Sequence, residues 1–285
     1  MLALVMGAFT LTGCEGFGQG KVLTLANIGW DENVAVSNLT KVLLEDELGY
    51  ERVDIDTSED LDATYQGVAS GDLDAFQDVW LPNQRALLEG VTGEVDHLGR
   101  WYLGKTKQGM AVPAYMHVRS IDQLNGTDAK LIYGIEPSSV MEHKVSAQVI
   151  PAYGLKQKLV AGPTAGMLEE VGRLYAFRED FVFLAWSPHW MNQKYDIRYL
   201  KDPKDAMGPT NDPAKCSTIV SGNLREDDPE AYAFMDALEL TEEQINSLEL
   251  EINKEKDNPM AGTRRWVYEN REVVRPWIEA ARKAR

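Results

Sequence analysis

Apolar runs separated by amphipathic stretches predict an alternation of strands and helices. The run 22–28 predicts a first strand, apolar residues at helical spacing follow over 34–48, and the run 52–56 predicts a second strand. A helix is predicted over 61–70, with Ser58 or Asp60 as its N-cap. The order strand, helix, strand is the beginning of a parallel α/β unit.

A second set of elements follows the extended segment 108–115. Strands are predicted at 130–135, 159–161 and 181–186, and helices from 140 to about 152 and over 167–178. The segment 195–200 predicts a strand that returns to the first set. The last third predicts helices over 229–238, 241–251 and 258–284, and Thr241 to Gln244 has the form of a capping box. We therefore expect one lobe from 21–111 with 195–285, and a second from 112–194.

Three of the predicted strands end in tryptophan. Trp30 follows the first strand, Trp80 precedes a Leu-Pro step, and Trp186 ends the apolar run that begins at Phe181. In open α/β sheets, ligands bind beyond the carboxyl ends of the strands. Tryptophan is usually a core residue, so packing explains any one of them alone. The recurrence of one local context favours a shared aromatic site.

Composition and charge narrow the class of function. The chain of 285 residues has 44% hydrophobic and 26% charged residues, as in soluble globular proteins. A formal charge of −16 without long basic patches argues against a nucleic-acid partner, and a solvated acidic surface accounts for the charge. The sequence has no metal-ligand spacing, phosphate loop or nucleophile elbow, so we expect no metal, no cofactor and no enzymatic activity.

The N-terminus has features of a secreted lipoprotein. Residues 1–13 are uncharged, mostly apolar and too short to span a bilayer, which is typical of a signal peptide. Leu11-Thr-Gly-Cys14 is similar to a bacterial lipobox, although a basic n-region is missing. We expect a signal peptide over 1–14, lipidation at Cys14 and a tether over 15–20. Cys216 then has no partner and is predicted to be a buried, small apolar residue.

Several motifs in order resemble the substrate-binding proteins of ABC importers for glycine betaine, proline betaine and choline. They are the lipobox, Gly29-Trp30, Asp-Val-Trp80-Leu-Pro, Gly-Ile-Glu136-Pro, and Trp186-Ser-Pro-His-Trp190 with the segment that follows it to Pro203. The resemblance implies a two-lobed periplasmic-binding-protein fold of type II, with a ligand cleft between lobes joined by a hinge. It also implies an extracytoplasmic, lipid-anchored monomer that works with an ABC permease and ATPase.

The same resemblance implies an aromatic box for a quaternary ammonium group. Its walls are Trp30, Trp80 and Trp186, with Tyr102 as the fourth wall and Tyr115 as the competing candidate. Trp190 belongs either to the site or to the packing below it. The remaining tryptophans are assigned to the core or to the lobe surface: Trp101, Trp266 and Trp277.

The other end of the ligand leaves two alternatives. Asp31 and Glu32 offer acceptors for a choline hydroxyl, or they cap the helix that follows them. His189 and the backbone N–H groups near Ser138 and Ser139 offer donors for a betaine carboxylate, although His189 has an equally good structural explanation. Two rival functions also stay open: a two-lobed sensory receptor and, less favoured, an enzyme acting on a choline-like substrate.

Overall fold

Two five-stranded sheets organise the chain, in a computed structural model that describes residues 20–208, 213–255 and 258–285. The first sheet has the order β2-β1-β3-β10-β4, and the second has the order β7-β6-β8-β5-β9. The strands of the first sheet are β1 (Val22–Asn27), β2 (Arg52–Thr57), β3 (Ala75–Leu81), β4 (Val95–Arg100) and β10 (Lys215–Ser221). Those of the second are β5 (Lys107–Pro113), β6 (Leu131–Tyr133), β7 (Lys158–Val160), β8 (Val182–Ser187) and β9 (Ile197–Tyr199).

The two sheets are built by the same rule. In the first, β1 pairs in parallel with β2 and β3, whereas β10 is antiparallel to β3 and β4. In the second, β6 pairs in parallel with β7 and β8, whereas β5 is antiparallel to β8 and β9. Each sheet is the core of one α/β lobe. The predicted two-lobed α/β architecture is confirmed.

Helices cover the sheets. Those of the first lobe are α1 (Asp31–Leu48), α2 (Leu61–Ser70), α3 (Arg85–Gly90), α8 (Leu224–Asp227), α9 (Pro229–Ala237), α10 (Glu242–Lys254), α11 (Pro259–Glu269) and α12 (Arg271–Ala284). Those of the second lobe are α4 (Val140–Lys144), α5 (Ile150–Tyr153), α6 (Thr164–Phe177) and α7 (Met191–Lys194), with a π-helical turn (Val145–Val149) joining α4 to α5 and a 3₁₀ helix at Ile121–Gly126. None of the helices in the described ranges has the length and apolar character that a bilayer span requires.

Local capping follows the sequence closely. Asp60 accepts a hydrogen bond from the Ala63 N–H and caps α2, and Thr241 forms both bonds of the predicted capping box with Gln244. The predicted long helix over 258–284 is divided at Asn270 into α11 and α12. Side-chain capping is a local interaction, so the sequence alone identifies it.

The predicted lobe boundaries need correction. β5 begins at Lys107, before the predicted crossing at 112, and it pairs with β8 of the second sheet. β9 was predicted to return to the first lobe, but it pairs with β5. The strands of the second sheet therefore span 107–199. Hydrophobic patterning identifies a strand but not the sheet that it joins, which explains both errors.

Candidate functional site

Three tryptophans meet at one cavity between the lobes. Trp30, Trp80 and Trp186 line this small cavity, whose volume is about 30 Å³. We call these three side chains the aromatic cage. The other residues at the cavity are amides, small polar groups and apolar side chains: Asn83, Gln84, Gln108, Ile135, Ser139, Val140 and Met141.

Strand ends bring the cage together. Trp80 is the penultimate residue of β3, and Trp186 is the penultimate residue of β8. Trp30 is the N-cap residue of α1, just beyond β1, and Gly29 before it has φ +89°, a left-handed conformation that glycine adopts without strain. The prediction that the strand-end tryptophans lie together is correct.

Each cage tryptophan donates its indole N–H to a buried carboxylate. Trp30 Nε1 lies 2.7 Å from Glu136 Oε2, and Trp80 Nε1 lies 2.8 Å from Asp78 Oδ1. Trp186 Nε1 lies 2.8 Å from Glu32 Oε2. The bonds hold the three rings by their N–H edges, and the faces of the rings take no part in these bonds.

Burial disfavours the charged form of the acids behind the cage. It raises the pKa of Asp78 to about 8, against the opposing effect of the Trp80 indole N–H. Burial, together with the charge of Asp78, also raises the pKa of Glu32 well above its usual range. The pKa of Glu249 is raised by burial and by the charge of Asp31. Burial therefore favours the neutral form of these acids behind the aromatic rings.

The raised pKa of Asp78 predicts a pH-dependent stability. A carboxyl whose pKa is higher in the folded state stabilises the fold fully below its unfolded pKa, near 4, and this contribution is lost as pH rises through about 8. We therefore expect the free energy of unfolding to fall between pH 6 and pH 9. Asp78→Asn should make that fall smaller, because the amide does not ionise. Urea unfolding of both proteins at the two pH values measures the difference.

A matched control for this prediction is Asp62→Asn, since Asp62 is an exposed carboxylate of α2. It should leave the difference between pH 6 and pH 9 as it is in the parent protein. Equal pH dependence in the parent and in Asp78→Asn would contradict the assignment of that titration to Asp78. Glu32, Glu142 and Glu249, whose pKa values are also raised by burial, contribute to the part of the fall that remains.

The amide side chains at the cavity were not predicted. Gln84 Oε1 accepts from Tyr65 Oη at 2.7 Å and from the Trp80 N–H at 3.1 Å, so this side chain can offer a ligand only its amino group. Asn83 Nδ2 donates to Gln108 Oε1 at 2.6 Å, and within the described part of the chain Asn83 Oδ1 is buried without a partner. Asn83 and Gln84 follow Trp80 closely in sequence, and this proximity was the available signal.

Ser139, which was predicted to contact the ligand, lies at the cavity. Its backbone N–H already donates to the Glu136 carbonyl at 2.9 Å, so this N–H is not available to a ligand. Val140 and Met141 come next, at the beginning of α4, and both line the cavity. Ser138 lies at the lobe boundary, where its hydroxyl donates to the Glu59 carbonyl and accepts from the Leu61 N–H.

Neither tyrosine candidate lines the cavity. Tyr102 is 1% exposed, belongs to the core and packs beside Trp101, with ring centroids 6.0 Å apart. Tyr115 donates to the Glu179 carbonyl, and Arg178 lies over its ring. The predicted fourth wall is thus absent from the lining of the cavity, because the Tyr102 ring is buried in the core beside Trp101.

Asp31, Glu32 and His189 lie behind the cage instead of on its surface. Asp31 and Glu32 are in the first turn of α1 and do not cap it, since Trp30 is the N-cap residue. His189 is fully buried: Nε2 is 3.1 Å from Asp31 Oδ2, and Nδ1 accepts from the Met191 N–H. Both ring nitrogens are therefore engaged. Trp190 donates its indole N–H to Asp31 and does not line this cavity.

The tryptophans assigned to the core or the lobe surface, Trp101, Trp266 and Trp277, are all buried. Trp101 Nε1 donates to the Gln77 carbonyl at 2.7 Å, and Trp266 Nε1 donates to Ser247 Oγ at 2.7 Å. Cys216 is buried as predicted, and burial raises the pKa of its thiol. Cys14 and most of the predicted tether lie outside the described residues, so the lipid anchor stays a prediction.

Comparison with known proteins identifies relatives along most of the chain. Residues 21–269 match a family described as the substrate binding domain of an ABC-type glycine betaine transport system. The glycine betaine/carnitine transport binding protein GbuC of Listeria monocytogenes serotype 1/2a (strain 10403S) is 31% identical over 126 residues. That alignment covers 44% of this chain and 41% of GbuC, so it spans less than half of the curated relative.

Solved structures align with a larger share of the chain. Lactococcal OpuAC, in its closed conformation with glycine betaine, has a TM-score of 0.80 and 31% identity, covering 90% of this chain and 99% of OpuAC. The glycine betaine/L-proline-binding protein ProX of Borrelia burgdorferi has a TM-score of 0.81 and 27% identity, covering 90% of this chain and 96% of ProX. A choline-binding protein of an ABC transporter, solved with choline, shares the fold at a TM-score of 0.78, with 21% identity and coverage of 92% and 97%.

Proposed function

The chain belongs to the family of substrate-binding domains of ABC-type glycine betaine transport systems, and from that premise we propose that it captures a quaternary ammonium solute in the aromatic cage for import. The observation that carries the proposal is the meeting of Trp30, Trp80 and Trp186 at one cavity between the lobes. The proposed solute is glycine betaine, proline betaine or choline.

Aromatic faces suit a quaternary ammonium group better than hydrogen-bonding groups do. Such a cation has no N–H to donate, but the ring quadrupole attracts its charge while its methyl groups pack against the ring. Each contact is worth about 0.5–2 kcal/mol when water is excluded. Three contacts and the burial of the methyl groups are of the size that micromolar affinity requires, about 8 kcal/mol.

The polar end of the solute meets the amides at the cavity. The amino group of Gln84 can donate to a carboxylate, as can the N–H groups of Val140 and Met141 at the beginning of α4, where the helix dipole favours an anion. The buried Asn83 Oδ1 offers an acceptor to a hydroxyl. The donors favour a betaine, and the single acceptor favours choline. The cavity therefore offers contacts to both the ammonium end and the polar end of the solute.

Import of the solute requires a partner complex in the membrane, which the protein would meet on the side away from the cytoplasm. We propose that the closed form docks on an ABC permease driven by its ATPase, and that lipidated Cys14 holds the protein at the membrane. The lobes contact each other across the cleft in this structure, for example where Ser138 of the second lobe bonds to Glu59 and Leu61 of the first. Mass spectrometry of the protein purified from membranes tests the anchor, through the mass of a lipid on Cys14.

A fluorescence titration tests the binding function. Three tryptophans line the cavity, so a ligand that binds there should change the tryptophan emission. The saturable change is measured with glycine betaine, proline betaine and choline. Glycine and ethanolamine are the matched controls, since they keep the carboxylate or the hydroxyl and lack the methyl groups. At least one methylated compound should bind at least a hundredfold more tightly than its control. Equal binding of methylated and unmethylated compounds, or no binding, would refute the cage.

A further inference from the structure

Two of the cage tryptophans are held by the lobe that does not carry them. Trp30 is at the beginning of α1 in the first lobe, and its indole N–H bonds at 2.7 Å to Glu136 of the second lobe. Trp186 is on β8 in the second lobe, and its indole N–H bonds at 2.8 Å to Glu32 of the first. The third pair differs, because Trp80 and Asp78 both lie on β3. The two reciprocal pairs connect the lobes at the walls of the cage.

Both acceptors are fixed in their own lobes. Glu136 Oε1 accepts from the Thr164 N–H at 2.7 Å, and Oε2 accepts from Thr164 Oγ1 at 2.9 Å, so the beginning of α6 holds this carboxylate in place. Glu32 is 1% exposed in the first turn of α1. Neither glutamate lines the cavity. They contact the indole edges, whereas a ligand would contact the faces.

Separation of the lobes would break both pairs at once, since each pair joins atoms of different lobes. We infer that Glu136 and Glu32 are positioning residues that couple lobe closure to assembly of the aromatic cage, each orienting a tryptophan of the opposite lobe. The ligand in this inference rests on the proposed function, whereas the contacts between the lobes do not depend on it. We call the pairs Trp30–Glu136 and Trp186–Glu32 the indole latches.

The Trp186–Glu32 latch needs an acceptor oxygen and not a negative charge. A protonated glutamate still accepts through its carbonyl oxygen, and so does glutamine. Glu32→Gln should therefore keep the affinity for glycine betaine or choline within about threefold of the parent protein. Both oxygens of Glu136 accept from N–H groups, so glutamine would place its amino group against one of these donors, and Glu136→Gln should weaken binding. Glu136→Ala and Glu32→Ala leave an indole N–H without its partner in a buried place, and each should weaken binding at least tenfold, with the loss in a faster dissociation rate.

A double-mutant cycle separates a latch from a general structural role. Trp30→Phe keeps an aromatic face and removes the N–H, so Trp30→Phe combined with Glu136→Ala should bind no more weakly than the worse single variant. Trp186→Phe with Glu32→Ala is the second cycle. Asp78→Ala is the control: it breaks a pair inside one lobe and should not change the radius of gyration measured by X-ray scattering with saturating ligand. Glu136→Ala should remain more open than the parent under the same conditions.

The outcomes are separable. If Glu32→Gln loses as much affinity as Glu32→Ala, the Trp186–Glu32 latch does not exist. If the effects within a cycle multiply, the latch tested by that cycle does not exist. A lowered melting temperature of Glu136→Ala without that coupling would indicate only a lost helix cap on α6. If the parent protein binds none of glycine betaine, proline betaine and choline, the proposed function fails. The latches are then tested by X-ray scattering without ligand. The variant that combines Glu136→Ala with Glu32→Ala should have a larger radius of gyration than the parent protein. An unchanged radius of gyration would overturn the latches.

Discussion

Replacing Trp186 with alanine should weaken binding of the quaternary ammonium ligand at least tenfold. The change removes one wall of the cavity and a cation–π contact worth about 1–2 kcal/mol, and 1.4 kcal/mol corresponds to tenfold. It also leaves Glu32, which is buried, without the indole N–H that donates to it. Isothermal calorimetry with the ligand that binds the parent protein most tightly measures the loss.

The matched control is Trp266→Phe, because Trp266 is a buried tryptophan that does not line the cavity and bonds to Ser247. Its affinity should stay within twofold of the parent protein. Trp186→Phe should lie between the parent and Trp186→Ala, since it keeps a smaller aromatic face. An unchanged affinity in Trp186→Ala would remove Trp186 from the proposed walls.

Replacing Trp101 with alanine should cost about 3–5 kcal/mol of the free energy of unfolding, the usual range for deleting a buried aromatic side chain. Trp101 is 1% exposed, and its indole N–H donates to the Gln77 carbonyl on β3. The change creates a cavity in the first lobe and removes the partner of a buried carbonyl. Urea unfolding followed by circular dichroism measures the difference from the parent.

Tyr268→Ala is the reference for this prediction. Tyr268 is 76% exposed on α11, so its truncation should change the free energy of unfolding by no more than about 0.5 kcal/mol. A loss below about 1 kcal/mol in Trp101→Ala would show that Trp101 is not the core residue that its burial indicates. Together, Trp101 and Trp186 separate tryptophans that stabilise the fold from those that form the cage.

Local patterns in the sequence predicted which tryptophans line the cavity. Trp30, Trp80 and Trp186 each stand at the end of an apolar run, and in an α/β lobe such strand ends lie at the edge of the sheet where ligands bind. The capping of α2 by Asp60 and of α10 by Thr241 was equally accessible, because a cap and its partner are three residues apart. At each of these positions, the residues that determine the local structure are close together in the sequence.

The remainder of the site depends on contacts that no local pattern reports. Glu136 bonds to a tryptophan 106 positions away, and Glu32 to one 154 positions away. Glu32 was therefore interpreted as a ligand contact, and Asp78 and Glu136 were given no role. His189 was offered as a ligand donor, but its two nitrogens bond to Asp31 and to the Met191 N–H. Residue type indicated the chemistry of these groups, and only the packing of the lobes determines their partners.

The sequence also did not predict correctly which sheet each strand joins. β10 was not predicted, although it is central in the first sheet, because Lys215, Ser217, Thr218 and Ser221 interrupt its apolar character. β9 was predicted as a strand but placed in the wrong lobe. Pairing partners are set by neighbours far along the chain, so a strand can be recognised while its sheet is not.

The raised pKa of Asp78 links the proposed binding to pH. Burial favours the protonated form of this carboxyl behind Trp80, whereas a cation at the face of that ring would favour the ionised form. We therefore expect binding of a cationic solute such as choline to release protons at neutral pH and to strengthen as pH rises toward 8.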